Sequence, residues 1–266
     1  RSATRRFRVE EYRVPTFQVK VTSDKEKWSR GKSIDAEIKA EYLHGGSLGG
    51  RDLTWEVLRR PKAFAPQGFG KYKFTLGATA DFTGRVASGK EKLNGNGDFN
   101  LKFEAAHPAS VGPMLYVVEA TVTDVDRQAY AGRLAKTVHP AAFYVGVKPP
   151  GRQILGSNEI LKVPVVAVSK EGKPVKDIKV KVQLERVDHH TTARMTTDSR
   201  VQMFNREVDV RQEEQWIKTG KTPNLCSLKL PGAGVYRVRA TAVDRAGQTV
   251  QSGFQVTVAG SSPTAW

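Results

Sequence analysis

FRVEEYRVPTFQVKV, residues 7–21, contains two short segments of alternating apolar and polar residues on either side of Pro15. In the second segment Phe17, Val19 and Val21 alternate with polar residues, and this period of two with aromatic and β-branched residues predicts a β-strand. Proline has no backbone N–H donor and favours an extended conformation in the residue before it. We therefore predict that one strand ends before Pro15 and that the next begins after it, in a different sheet.

The same alternation continues along the chain and predicts an all-β fold. Residues 34–42 place apolar side chains on one face of a strand and charged side chains on the other, as in an antiparallel sheet with one buried face. Further strands with this alternation are predicted at 53–57, 99–103, 116–122 and 133–138. Residues 61–97 are glycine-rich and less regular, with one short strand predicted at 72–76. This segment is either a flexible binding loop or a decorated connection.

The strand plan occurs twice. Phe-x-Val-x-Val stands at residues 17–21 and again at 143–147, and Tyr-x-Val-x-Ala-Thr-x-x-Asp stands at 116–124 and again at 236–244. Copies of about 110–125 residues match the size of an immunoglobulin-like sandwich. We predict tandem antiparallel β-sandwiches of about seven strands each, at residues 15–140 and 141–260. Residues 1–14 are then the tail of a preceding domain or a linker strand, and 261–266 are a linker to a following domain, so we expect an internal piece of a larger protein.

The charge of the chain is strongly positive, with 43 Lys and Arg against 27 Asp and Glu, a net charge of +16. Such an excess permits binding to nucleic acids or anionic surfaces. The basic residues alternate with apolar ones, as at Lys179 and Lys181, which favours a solvated sheet face, and no nucleic-acid-binding motif accompanies them. We predict no nucleic-acid partner. No apolar run approaches the roughly 18 residues that a membrane span requires, so no span is predicted either.

Residues that often carry chemistry occur here in patterns that favour structural roles. Cys226 is the single cysteine, which excludes an internal disulfide framework, and its inward strand position predicts a core residue. This cysteine count and the absence of Asn-x-Ser/Thr favour a bacterial origin. His189 and His190 are neighbours that cannot readily share one metal ion on a strand, so a solvated loop is favoured.

Acidic and glycine-rich turns have equally plain interpretations. Asp124 and Asp244 follow matching strands, and aspartate tightens such turns without any calcium site. The glycines at 45–50 lack the Lys-Ser/Thr of a phosphate-binding loop and are interpreted as hairpin glycines. Residues 208–218 are interpreted as a polar loop or short turn in an inserted hairpin. We therefore predict no catalytic, cofactor-binding or metal-binding residues, no cofactor, and a protein that is not an enzyme.

Residues 10–19 carry a family resemblance. Glu-Glu-Tyr-x-x-Pro-x-Phe-x-Val resembles the junction that opens a macroglobulin domain in alpha-2-macroglobulins, above all in the bacterial cell-envelope branch. The resemblance implies that both sandwiches are macroglobulin domains. The reactive thioester of the family forms between Cys and Gln in a Cys-x-Glu-Gln setting, whereas Cys226 lies in Asn-Leu-Cys-Ser-Leu. The thioester is therefore not expected in this chain.

The family traps proteases, which implies a structural function for these domains. A protease cleaves an exposed bait segment, and the ring of domains rearranges and encloses it. The resemblance implies that the two sandwiches are ring domains of a periplasmic, broad-spectrum endopeptidase inhibitor. It leaves open whether another part of the parent protein anchors it to the membrane. The implied partners are neighbouring domains of the parent chain, trapped proteases and cell-envelope proteins. Residues 188–224 come closest to a bait segment.

A binding module is the competing interpretation. Tandem sandwiches also build envelope scaffolds, adhesins and carbohydrate-binding modules, and the fold does not choose among these functions. A surface platform of aromatic side chains would favour sugar binding. The candidates for such a platform are Tyr72, Phe74 and Trp216.

Overall fold

The computed structural model describes residues 15–23, 28, 30–77, 82–195 and 201–260, without the side chains of 189–195 and 201–206. The predicted tail at 1–14 and linker at 261–266 lie outside these residues. The described residues form fifteen β-strands in four sheets. In the part of the chain that the structure describes, no helix is both long enough and apolar enough to cross a membrane.

The first sandwich consists of a three-stranded and a four-stranded antiparallel sheet. The strands of the smaller sheet, in the order β1-β2-β5, are β1 (Phe17–Thr22), β2 (Ser33–Tyr42) and β5 (Asp98–Glu104). The strands of the larger sheet, in the order β4-β3-β6-β7, are β3 (Asp52–Pro61), β4 (Gly84–Lys92), β6 (Met114–Thr123) and β7 (Ala129–Val138). Alternate residues of β2 are buried and exposed, so its apolar face closes one side of the first core.

The second sandwich consists of a three-stranded and a five-stranded sheet. The smaller sheet, in the order β13-β10-β8, contains β8 (Phe143–Val147), β10 (Ile160–Ser169) and β13 (Asn224–Lys229). The larger sheet, in the order β12-β11-β14-β15-β9, contains β9 (Ile154–Gly156), β11 (Lys179–Met195), β12 (Val201–Lys218), β14 (Gly234–Val243) and β15 (Thr249–Ala259). The short strand β9 pairs in parallel with β15, and the other pairs are antiparallel.

The all-β, immunoglobulin-like fold of macroglobulin type is confirmed, with seven strands in the first set and eight in the second. The internal repeat also has a structural counterpart. Tyr116 donates its O–H to the carbonyl of Ala106, and Tyr236, the equivalent residue of the second copy, donates to the carbonyl of Gly232 at 3.0 Å. Tyr116 lies in β6 and Tyr236 lies in β14, and both are buried. The domain limits at 15–140 and 141–260 stay a prediction, which we retain as a proposal.

Three local predictions are wrong. Residues 208–218 form part of β12 and not a loop, because they pair with β11 along their whole length. His189 and His190 belong to β11 and not to a loop. The strand predicted at 72–76 is absent, since only Lys73 makes a β-bridge there, with Val147. Each of these segments pairs with residues outside itself, and alternation within a segment does not report which residues those are.

Candidate functional site at the junction of the two sandwiches

The connection between β3 and β4 lies against the second sandwich, although the chain enters and leaves it from the first. We call its residues 62–77 the clasp. Phe74 of the clasp is 4% exposed and belongs to the hydrophobic core of the second sandwich. Phe64, Phe69 and Tyr72 pack against the same core. Full burial of a phenylalanine side chain stabilises a fold by about 1.5–3 kcal/mol, so the clasp is an energetic part of the second sandwich.

Backbone hydrogen bonds fix the clasp to both sheets of the second sandwich. Lys73 N–H donates to the carbonyl of Val147 at 2.8 Å, and Val147 N–H donates to the carbonyl of Lys73 at 3.0 Å. Two residues further on, Gly253 N–H donates to the carbonyl of Thr75 at 3.0 Å. Val147 lies in β8 of the smaller sheet and Gly253 lies in β15 of the larger one. The clasp therefore bridges the two sheets at one side of the sandwich.

Two glycines make room for the clasp. A Cβ atom at Gly146 would lie 2.5 Å from Cε1 of Phe74, and one at Gly253 would lie 2.5 Å from Cδ1 of Leu76. The ring of Phe74 therefore requires glycine at position 146. At Gly253 the carbonyl oxygen of Val238 in β14 would lie closer still to the Cβ atom, so the sheet and the clasp both exclude a side chain there. Phe64 adds a stacked contact with the buried Tyr144, with ring centroids 3.9 Å apart.

A second part of the first sandwich extends this contact along β15. Gln251 N–H donates to the carbonyl of Ala109 at 2.9 Å, and Leu76 N–H of the clasp donates to the carbonyl of Ser110 at 2.8 Å. Arg30 donates through Nη1 to the carbonyl of Thr249 at 2.6 Å. The junction is thus held by backbone hydrogen bonds in addition to the buried aromatic side chains of the clasp.

His139 lies in the segment that joins β7 of the first sandwich to β8 of the second. Nδ1 of His139 is 2.7 Å from the hydroxyl of Tyr144. Burial is the main cause that lowers the pKa of His139 to about 4, and Lys170 and Lys62 add to it. Burial also raises the pKa of Tyr144. Both groups are therefore neutral near neutral pH, and a hydrogen bond joins the tyrosine hydroxyl to Nδ1 of the imidazole.

The aspartate turns behave as the sequence predicts. Oδ1 of Asp244 accepts hydrogen bonds from the N–H groups of Ala246 and Gln248, at 2.9 and 2.8 Å. Its Oδ2 accepts from the N–H of Ala142, at 2.9 Å, in the segment that joins β7 to β8. In the first sandwich Oδ1 of Asp124 accepts from the N–H of Val125. Among the described residues, no group of three or more His, Cys, Asp or Glu side chains could hold a metal ion.

Cys226 lies in the core of the second sandwich, as predicted, and is 1% exposed. Burial raises the pKa of its thiol to about 11. The thiol is 3.3 Å from Oε1 of Gln215. Since the thiolate is the reactive form of cysteine, this residue is inert in the folded chain.

The aromatic platform is not formed by the predicted residues. Phe74 is buried in the second core, and Tyr72 packs against that core within the clasp. Trp216 is 62% exposed on β12, which lies at the edge of its sheet away from the β15 edge that the clasp contacts. All three residues are aromatic, but the fold does not bring all three together on one surface.

Two long strands, β11 and β12, cover most of the described part of the segment compared with a bait and form a two-stranded arm. β11 and β12 pair with each other from Lys179 to Met195, but β11 pairs with β14 only as far as Arg186. The arm therefore extends past the sandwich. At its base Arg237 contacts Asp209 and Glu207, and Arg239 contacts Glu185 and Asp209.

The clasp was missed by sequence reasoning, although two signals pointed to it. Four aromatic residues stand in a glycine-rich connection, at 64, 69, 72 and 74. In addition, glycine interrupts the apolar strands at Gly146 and Gly253. The aromatic side chains of the clasp fit the space that the two glycines leave open, but the sequence does not show that these segments are in contact.

Comparison with known proteins places the chain beside the bacterial alpha-2-macroglobulins. Residues 146–257 match the family model of bacterial macroglobulin domain 6. The chain is 24% identical to an alpha-2-macroglobulin homolog of Nostoc sp., in an alignment that covers 98% of this chain and 14% of that protein. The chain therefore spans about one seventh of the curated relative that it matches.

Solved structures share the fold at lower identity. The native conformation of E. coli alpha-2-macroglobulin matches with a TM-score of 0.64 and 15% identity, over 94% of this chain and 16% of that one. Salmonella alpha-2-macroglobulin reacted with methylamine matches with a TM-score of 0.59 and 15% identity, over 93% of this chain and 17% of that one. These likenesses show a shared fold.

Proposed function

We propose a function from the premise that this chain belongs to the bacterial alpha-2-macroglobulins: its two sandwiches are structural ring domains of a periplasmic, broad-spectrum inhibitor that traps proteases. The observation that carries the proposal is the match to one alpha-2-macroglobulin homolog along 98% of the chain. The partners would be neighbouring domains of the parent chain, proteases enclosed by the parent, and proteins of the cell envelope.

The junction supports a structural function. A ring that rearranges around a protease needs parts that keep their shape while others move. Here Phe74 is buried in the neighbouring sandwich, and the backbone bonds at Lys73 and Thr75 tie the two sheets of that sandwich to the clasp. Contacts of this kind resist separation better than polar side chains on a surface do, because they bury backbone groups that would lose their partners.

The test uses the full-length parent protein and a broad-specificity protease. After incubation, hydrolysis of a small peptide and of a large protein are measured in parallel, together with the mobility of the parent on a native gel. We expect that peptide hydrolysis is retained and protein hydrolysis is lost, because an enclosed protease keeps an open active site but excludes large substrates. The control is the same protease inactivated at its active site beforehand, which should leave the parent's mobility unchanged.

Two outcomes would contradict the trap. If both substrates are hydrolysed at the original rates and the parent shows no mobility shift, the scaffold, adhesin or carbohydrate-binding interpretation takes its place. If both activities are lost together, the parent blocks the active site directly and does not enclose the protease.

A further inference from the structure

We propose that the clasp is a strand-like segment donated by the first sandwich to complete the second, so that the second sandwich closes its core only when the clasp is in place. The second core would then open whenever the clasp leaves it, while the first core stays closed. This inference concerns folding within the chain and does not rest on the proposed function.

The first argument is the open edge of β15. β15 pairs with β14 along its length, but on its other side β9 covers only Thr257–Ala259. The remaining N–H groups on that side need acceptors, because a buried backbone donor without a partner is costly. Gln251 and Gly253 find them in the first sandwich, at the carbonyls of Ala109 and Thr75. The first sandwich therefore takes the place of a missing neighbouring strand, in the manner of strand addition to a sheet edge.

The second argument is the edge of the facing sheet. β8 is the last strand of the order β13-β10-β8, so its outer side has no strand partner. Val147 of β8 exchanges two backbone hydrogen bonds with Lys73. Lys73 and Thr75 are two residues apart, yet they contact different sheets. The clasp thus closes the gap between β8 and β15 on the side where the sandwich would otherwise be open.

The third argument is the side chain between these two residues. Phe74 points into the gap and is 4% exposed there, within the core of the second sandwich. Its ring lies where a side chain at Gly146 would otherwise stand. Removal of the ring would leave a cavity in the second core, between Phe64 and Gly146. By contrast Phe82, the next phenylalanine in the chain, packs against the core of the first sandwich.

The single cysteine provides a local reporter for the test. Cys226 is buried in the second core, so its labelling by a thiol reagent in the 266-residue chain measures how often that core opens. We expect Phe74→Ala to accelerate labelling by at least about 100-fold, since truncation of buried phenylalanines shifts such equilibria by that order or more. Phe82→Ala is the matched control, because it truncates a phenylalanine that packs on the first core, and should change the rate less than about threefold.

A second measurement covers the case in which Phe74→Ala fails to fold. Phe74→Leu keeps an apolar side chain, and we expect it to label at a rate between wild type and the alanine variant. Tryptic cleavage after Lys73 is followed by mass spectrometry in the same samples. The backbone of Lys73 is bonded on both sides in the closed state, so cleavage there should be slow in wild type and should rise with the labelling rate. The inference is wrong if both Phe74 variants label Cys226 at the wild-type rate, or if Phe82→Ala accelerates labelling as much as Phe74→Ala.

Discussion

At the scale of single residues, Phe74 shows that a side chain can belong to a core other than that of its own domain. It stands in a connection of the first sandwich and is buried in the second. Its position depends on Gly146, where a Cβ atom would lie 2.5 Å from the ring. The ring of Phe74 fills the space that the absent side chain of Gly146 leaves open. Neither residue alone indicates this contact in the sequence.

His139 gives a prediction on pH. Its pKa is lowered to about 4 in the folded chain, against an ordinary value of 6.5. The unfolded chain therefore takes up the proton first, and the stability that neutral His139 provides is full above pH 6.5 and is lost as the pH falls towards 4. After allowance for partial exposure, we expect a loss of about 1–3 kcal/mol over this window.

The variant His139→Gln isolates this contribution. Glutamine can accept the hydrogen bond from Tyr144 but does not titrate. The free energy of unfolding in urea, measured at pH 7, 5.5 and 4.5, should fall less steeply in this variant than in wild type. His44→Gln is the control, because His44 is exposed in the turn after β2. Equal slopes for wild type and His139→Gln would show that His139 does not couple the fold to pH.

At the scale of elements, the arm of β11 and β12 is held at its base by two arginines. Arg237 and Arg239, on β14, reach across β11 to Asp209 on β12, at 2.5 and 2.8 Å. Both arginine side chains are about four-fifths buried, at 18% and 21% exposed. We predict that Asp209→Ala lowers the free energy of unfolding by about 1–3 kcal/mol, since two largely buried charges lose a partner.

An exposed ion pair provides the comparison for Asp209. Glu56 lies 3.9 Å from Arg85, and both side chains are exposed. Glu56→Ala should change the free energy of unfolding by no more than about 0.5 kcal/mol, because exposed pairs contribute little. The measurement is urea unfolding of both variants beside wild type. Equal effects of the two substitutions would mean that the arm does not depend on its charged base.

At the scale of the whole molecule, the proposed function requires more than this chain. It spans 14% of its curated relative, and a protease can be enclosed only by a surrounding structure. We predict that the 266-residue chain inhibits no protease, on either a peptide or a protein substrate, at a large molar excess. The full-length parent, assayed beside it, is the control. Loss of protein hydrolysis with the chain alone would indicate a direct inhibitor and contradict a function that needs the complete ring.

The sequence by itself determined the fold class, the duplicated plan and the place of Cys226. Alternation of apolar and polar residues shows which face of a strand is buried wherever the other face is exposed to solvent, as in β2. Matching residues such as Tyr116 and Tyr236 then revealed the repeat. The turn aspartates were also predictable, because they bond to backbone groups within a few residues of themselves.

Only the tertiary structure decided which core each irregular segment joins. The alternation at 72–76 does not produce a strand, because the backbone bonds at Lys73 and Thr75 go to two different sheets and neither continues as a ladder. β12 was hidden for a related reason: it lies at the edge of its sheet, and residues 211–215 are all polar and show no alternation. In each case the deciding partner lies tens of residues away, and local alternation cannot record a contact that chain folding alone brings about.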